Sequence, residues 1–202
     1  MKKLIIGIFA LVLFQSQSLK AEEGKFRIGV EAGYAYADLG ADKTAQELAN
    51  LAGTTVTYTY DKADLMGRIY GQYGINETLS AEVGYFNSAP LDATYTISGA
   101  SAKESYEFAG FDLSAVYQAD SGIYGKAGIH SSKIDGAASL AIGGTTYNLG
   151  SSTDTGTGFL VGAGYEVKID SDMSWTIGVS YYDSAGGVSG ADVTFISAGL
   201  KF

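Results

Sequence analysis

The chain has 202 residues, of which 22 are acidic and 13 basic, for a net charge of −9. That acidic excess excludes a nucleic-acid partner, and the absence of Cys excludes a disulfide framework. The 28 Gly, 15 Tyr and single Pro suit strands joined by tight turns, and the length suits one domain.

The first segment reads as an address. Lys2 and Lys3 precede an apolar run from Leu4 to Phe14, and Gln15 to Ala21 are polar with a small residue at the end. This is the pattern of a secretory signal peptide over residues 1–21, with cleavage after Ala21, or after Ser18 because Leu19 is large for its position. The run is too short for a spanning helix, which needs about 20 apolar residues. Loss of Lys2, Lys3 and Lys20 with the leader leaves a domain over residues 22–202 with 10 basic and 22 acidic residues.

Along the remainder, residues alternate between apolar and small or polar over Phe26–Tyr36, Leu65–Tyr73, Leu79–Tyr85, Phe111–Tyr117, Ile123–Ile129, Phe159–Val167, Met173–Tyr181 and Thr194–Phe202. Period-two alternation gives each strand two faces of opposite character. Segments 74–78, 119–122 and 168–172 are short turns, whereas 39–62, 87–106, 131–156 and 183–190 are longer. Such an alternation of connection lengths predicts an all-β fold: an eight-stranded antiparallel up-and-down transmembrane β-barrel with extended extracellular hairpins. Aromatic residues then form two girdles. Phe26, Tyr73, Tyr117, Tyr165, Trp175 and Phe202 mark the periplasmic rim, and Tyr34, Tyr85, Phe111, Phe159 and Tyr181 the outer one. A soluble sandwich or lipocalin-like barrel would also alternate, but with the apolar face inward.

The run Gly67-Arg68-Ile69-Tyr70-Gly71-Gln72-Tyr73-Gly74-Ile75-Asn76, followed by Leu79-Ser80-Ala81-Glu82-Val83-Gly84-Tyr85, resembles the second hairpin of the transmembrane domain of outer membrane protein A and its small relatives. The ending, with Leu200 and the terminal Phe202 on one face, resembles the assembly signal of outer-membrane barrels. The resemblance implies a bacterial outer-membrane location, contact with outer-membrane lipid and lipopolysaccharide, and handling by the barrel-assembly machinery. No peptidoglycan-binding segment follows Phe202, so that part of the larger relatives' role is not expected.

On the inward face the alternation places Arg27, Glu31, Asp64, Arg68, Glu82, Asp112, Lys126, Glu166 and Lys201. Charges inside a membrane span need partners, and an eight-stranded barrel has room for little but side chains. Glu31, Arg68, Glu82, Asp112 and Lys126, at similar depth, are expected to form an ion-pair network that plugs the lumen.

Catalytic constellations are few. His130, the one histidine, stands two residues from Ser132, a spacing shared with membrane-barrel lipid A deacylases, but without the rest of their pattern and on the inner face. Asn76-Glu77-Thr78 matches a glycosylation acceptor, and Asp170-Ser171-Asp172 lacks the remaining ligands of a calcium loop. Gly162-Ala163-Gly164 reads as a strand with small inward residues, not a nucleotide loop. No enzyme activity, cofactor or metal is expected.

The outward segments carry more information. Residues 138–142 and 145–149 flank Gly143-Gly144, a two-residue hairpin signal. Residues 92–97 and 103–108 read as a second hairpin around 98–102; Thr44–Leu51 reads as a short helix and Thr54–Tyr60 as an extended piece. Such continuation beyond the membrane is similar to the outer membrane protein X group. Leu140, Ile142 and Tyr147 are the candidate binding residues of the long hairpin, for an extracellular protein or surface. Acids near the rim, among them Asp38, Asp42, Glu47, Asp61, Asp92, Glu104 and Asp154, would repel lipopolysaccharide phosphates unless divalent cations bridge them. The expected function is a surface role in adhesion, contact with a host or neighbour, or envelope integrity, with a narrow channel or a lipid A-modifying enzyme as alternatives.

Overall fold

In the computed structural model, residues 23–38, 40–170 and 172–202 are described. The leader expected over residues 1–21 lies outside them. Ten strands follow in chain order: β1 Phe26–Ala37, β2 Thr57–Tyr60, β3 Ala63–Gly74, β4 Leu79–Ser88, β5 Leu91–Ile97, β6 Ala100–Gln118, β7 Ile123–Ile142, β8 Thr145–Lys168, β9 Ser174–Tyr182 and β10 Val193–Lys201. A helix, α1, spans Ala41–Ala52, and Ala185–Gly187 make one 3-10 turn.

Eight of these strands close a ring. The order β6-β4-β3-β1-β10-β9-β8-β7 is completed by β7 pairing with β6, and every pair is antiparallel. The period-two pattern sets the faces: from Phe108 to Gln118, even positions of β6 are buried, whereas Phe111, Leu113, Ala115 and Tyr117 are exposed. Large apolar side chains such as Ile69, Val83, Leu113, Ile129 and Val179 cover the outside, and Arg68, Glu82, Asp112 and Lys126 are buried within. A soluble barrel would reverse these faces, so the ring is built for lipid.

Two turns at the periplasmic end show why their motifs are structural. Asn76 Oδ1 accepts from the backbone N–H groups of Thr78 and Leu79, at 2.9 and 2.8 Å. Asp170 Oδ1 does the same for Asp172 and Met173, at 2.9 and 2.8 Å. Both side chains mimic backbone acceptors and thereby tighten a turn.

Beyond the outer rim the strands run on. β7 has 20 residues and β8 has 24, where a tilted membrane strand needs about 9–11. Together with β6, β5 and β2 they make a protruding five-stranded sheet, ordered β2-β5-β6-β7-β8. Gly143 and Gly144 both take left-handed φ values, 57° and 85°, as a two-residue hairpin demands.

Several boundaries differ from expectation. The hairpin turn is Ser98-Gly99, not 98–102; Ser98 at φ 43° and Gly99 at φ 86° supply the two left-handed residues, so β6 starts at Ala100. The helix is longer than Thr44–Leu51, because Gly40 and Gly53 stand in left-handed conformation at its two ends. Within 54–60 only Thr57–Tyr60 is a strand, since it alone finds a partner, β5. Segment 183–190 lies at the outer end, as its length suggests, but it folds across the barrel mouth, with Ala185 and Gly186 buried and residues 187–190 exposed.

Candidate functional site: a filled lumen beneath an open outer sheet

Pairing registers bring the inward charges together. Glu31 lies opposite Arg68, and Gln72 opposite Glu82. The Arg68 guanidinium grips Asp112 with two bonds, Nε to Oδ2 at 2.9 Å and Nη2 to Oδ1 at 2.6 Å. It also donates to Glu82 at 2.7 Å and to Glu31 at 3.2 Å, and Lys126 Nζ stands 3.7 Å from Glu82. The planar five-donor fork of arginine makes four bonds to three carboxylates at once, two of them as a parallel pair on Asp112, where a lysine ammonium has only three donors. Gly84 makes room for it, because a Cβ there would fall 2.6 Å from Nη2.

A second charged layer lies nearer the periplasm. Glu166 accepts from Ser174 Oγ at 2.7 Å and Gln118 Nε2 at 3.0 Å, pairs with Lys201, and stands 3.6 Å from Arg27. The lumen charges therefore balance: Arg27, Arg68, Lys126 and Lys201 face Glu31, Glu82, Asp112 and Glu166. Between the layers is a cavity of about 10 Å³, space for a single water. Asp64 shares the inward parity but sits at the outer end of β3, half-buried, with its carboxylate turned to the backbone N–H of Leu65.

The outer third of the lumen is apolar. Phe86, Phe108, Tyr182 and Phe195 are buried there with Met66 and Leu160, and the Phe86 ring lies 4.7 Å from Phe108 and 4.8 Å from Tyr182. This aromatic cap was not foreseen from the sequence. Its signal was available: the positions two to four residues beyond Glu82, Asp112 and Ser197 on the same faces turn aromatic.

His130 belongs to this cap. Its Nε2 lies 2.8 Å from the Asp183 backbone carbonyl, so Nε2 carries the proton and donates. Nδ1 then accepts from Ser132 Oγ at 3.1 Å, and Ser132 Oγ accepts the Gly186 N–H at 3.0 Å. The trio clasps segment 183–187 over the barrel mouth. Both side chains are buried, and His130 reaches a carbonyl where a catalytic triad would need a carboxylate.

Above the rim, α1 lies on the inner face of the sheet, with Ala41, Ala45 and Leu48 packed on Ala93, Tyr95 and Ala102. The other half of that face is open. Leu140 pairs with Tyr147 across the hairpin and is half-buried, whereas Ile142 and Tyr147 are about half exposed. β8 meets β9 only from Leu160 onward, which leaves the edge of Thr145–Thr153 without a partner strand, and a bulge at Leu149 interrupts its pairing with β7. Near Gly156 the edge is covered, since a Cβ there would fall 2.3 Å from Gly187 Cα. The rim acids do not converge: no three His, Asp or Glu among the described residues are arranged to hold a metal ion. Burial, then the neighbouring Glu104, pushes the Tyr106 phenol on this inner face up to about 12.

The family profile of the outer membrane protein beta-barrel domain matches residues 6–202. The chain belongs to that family.

It is thus a protein of the bacterial outer membrane, and Leu200 and Phe202 stand at the periplasmic end of its last strand, Phe202 half exposed toward lipid. Solved structures similar to it include Ail, the attachment invasion locus protein of Yersinia pestis, at 13% identity over 90% of this chain and 100% of that one, with TM-score 0.49. Neisserial surface protein A shares 21% identity over 89% and 98%, with TM-score 0.46. The outer membrane protein OprG from Pseudomonas aeruginosa shares 10% over 90% and 98%, with TM-score 0.47. None of the curated proteins matches the chain. Likeness at those scores carries nothing about activity, and the barrel is established by its own closed ring of strands.

Proposed function

We propose that this protein is a surface-binding barrel: the membrane ring is an anchor, and the protruding sheet attaches the cell to an extracellular protein or surface. The observation that carries this reading is the division of the sheet's inner face. α1 covers the β2, β5 and β6 side, while Ile142 and Tyr147 stay open and Leu140 is half-buried, beside an unpaired stretch of β8. Unpaired edges offer backbone donors and acceptors to an incoming strand, and neighbouring apolar side chains select it. The filled lumen supports the same reading, because side chains occupy the space that transport would use.

Whole-cell binding to a panel of surfaces and proteins tests it, with the barrel kept and the Ala137–Ser151 hairpin tip shortened. Attachment is expected to fall to the level of cells lacking the protein. Unchanged attachment would remove the protruding sheet from the function.

A further inference from the structure

At the mouth of the barrel, between the start of α1, the walls of β7 and β8, and the segment after the 3-10 turn, lies a cavity of about 520 Å³. That is within the usual range for a ligand pocket. Its floor is apolar: Ile134 and Ala191 belong to the cluster that closes the lumen, Tyr106 packs against that cluster, and Val188 is 40% exposed beside them. Its charged lining is Asp38, Asp42 and Asp154, with Lys43 the one cation.

We propose that this cavity docks a cationic amphipathic peptide segment, taking a Lys or Arg side chain with its stem on Ile134 and Val188 and its head among the carboxylates. The inference rests on the surface-binding reading and names the chemistry of the partner. Long basic side chains bury their methylenes on apolar surface while keeping the charge in a polar rim, and the cavity offers both. Charge complementarity selects the occupant. Segments 38–62, 87–107, 131–157 and 183–192 carry eleven Asp and Glu against four Lys. Two of those lysines are held in ion pairs, Lys103 with Asp92 and Lys133 with Asp135. A field of that sign draws in polycations and turns away lipid phosphates. The carboxylates are spread around the cavity and not gathered on one point, which suits an extended chain with several charges better than a metal ion.

The test uses the full chain folded in detergent micelles and a fluorescently labelled six-residue peptide of alternating Lys and Leu. The peptide is expected to bind, more weakly as salt rises. Affinity is expected to fall tenfold or more in an Asp42→Asn/Asp154→Asn double variant and in Val188→Trp, which fills the cavity, and to be unchanged by Asp120→Asn in a periplasmic turn. Folding of each variant is checked by its heat-dependent gel mobility, and the two routes into the cavity are independent if one fails. Equal binding of a Glu and Leu peptide, or unaltered affinity in both cavity variants, overturns the inference. Trimming Ala137–Ser151 spares Ile134 and Asp154, so the two readings separate. Loss of attachment by trimming with intact peptide binding in the cavity variants sinks the cavity alone; loss of peptide binding in those variants with attachment undisturbed by trimming sinks the sheet alone.

Discussion

The lower and upper halves of β6 carry opposite polarity on the same faces. Toward the periplasm, Phe111, Leu113 and Tyr117 point outward, and Asp112, Ser114 and Gln118 point to the lumen. Toward the tip, Lys103, Ser105 and Glu107 point outward, and on the inner face Ala102 packs into the α1 cluster while Tyr106 packs on the cluster that closes the lumen. β7 repeats the reversal, from outward Ile123 and Ile129 to outward Lys133 and Asp135, with Lys126 inside below and Ile134 inside above. No bulge intervenes, for β6 and β7 keep one register from Gln118 opposite Tyr124 to Ala100 opposite Ile142. The pleat therefore supplies two faces, and the solvent outside decides which of them is apolar. The change between Glu107 and Phe111 marks where lipid gives way to water.

The lower half is most easily broken from within. Arg68→Ala would leave Glu31, Glu82 and Asp112 buried without the cation they share, and stranding buried charges costs about 3–5 kcal/mol. Urea unfolding in detergent micelles is expected to show a loss of that order, with the folded band on unheated gels weakened. An unaltered midpoint would mean that water, not Arg68, satisfies those carboxylates.

The boundary itself can be sharpened with two lysines on one face of one strand. Leu113→Lys puts a charge into the lipid-facing middle of the barrel and is expected to cost about 2–4 kcal/mol. Ser105→Lys adds the same charge to the outward face of the protruding sheet, where surface changes cost about 0.5 kcal/mol or less. Comparable losses in the same unfolding assay would place the membrane edge elsewhere on β6.

The ring was legible because its signal is local. A period of two can be counted within nine residues, and it placed Glu31, Arg68, Glu82, Asp112, Lys126 and His130 on the faces where they stand. What escaped the sequence depends on closure. Phe86, Phe108, Tyr182 and Phe195 come from four strands and meet only when the ring is complete. Glu166 gathers Ser174, Gln118, Arg27 and Lys201 from sites up to 139 positions away for the same reason. The clasp on segment 183–187 uses backbone groups of Asp183 and Gly186, which no choice of side chain advertises. The pairing of β2 with β5 was equally hidden, because four residues, three of them exposed, carry little pattern until α1 covers the sheet beside them.

The upper half has a subtler signature, readable in its tyrosines. Tyr106 donates to Glu104 Oε2 at 3.1 Å, and Tyr95 donates to the same oxygen at 3.3 Å. Burial first and the Glu104 charge second raise the Tyr106 phenol to about 12, against about 10 for a free tyrosine. The sign follows from linkage: the neutral phenol stabilises the protruding sheet fully below pH 10, and that contribution is lost as pH climbs through about 12. Tyrosinate absorbance isolates the group when the curve of Tyr106→Phe is subtracted from that of the unmodified chain. The difference is expected to titrate near 12. A difference titrating near 10, the value of a free phenol, would mean that the inner face of the protruding sheet stands open to water at Tyr106, and that the reversal of polarity along β6 ends at the rim instead of continuing above it.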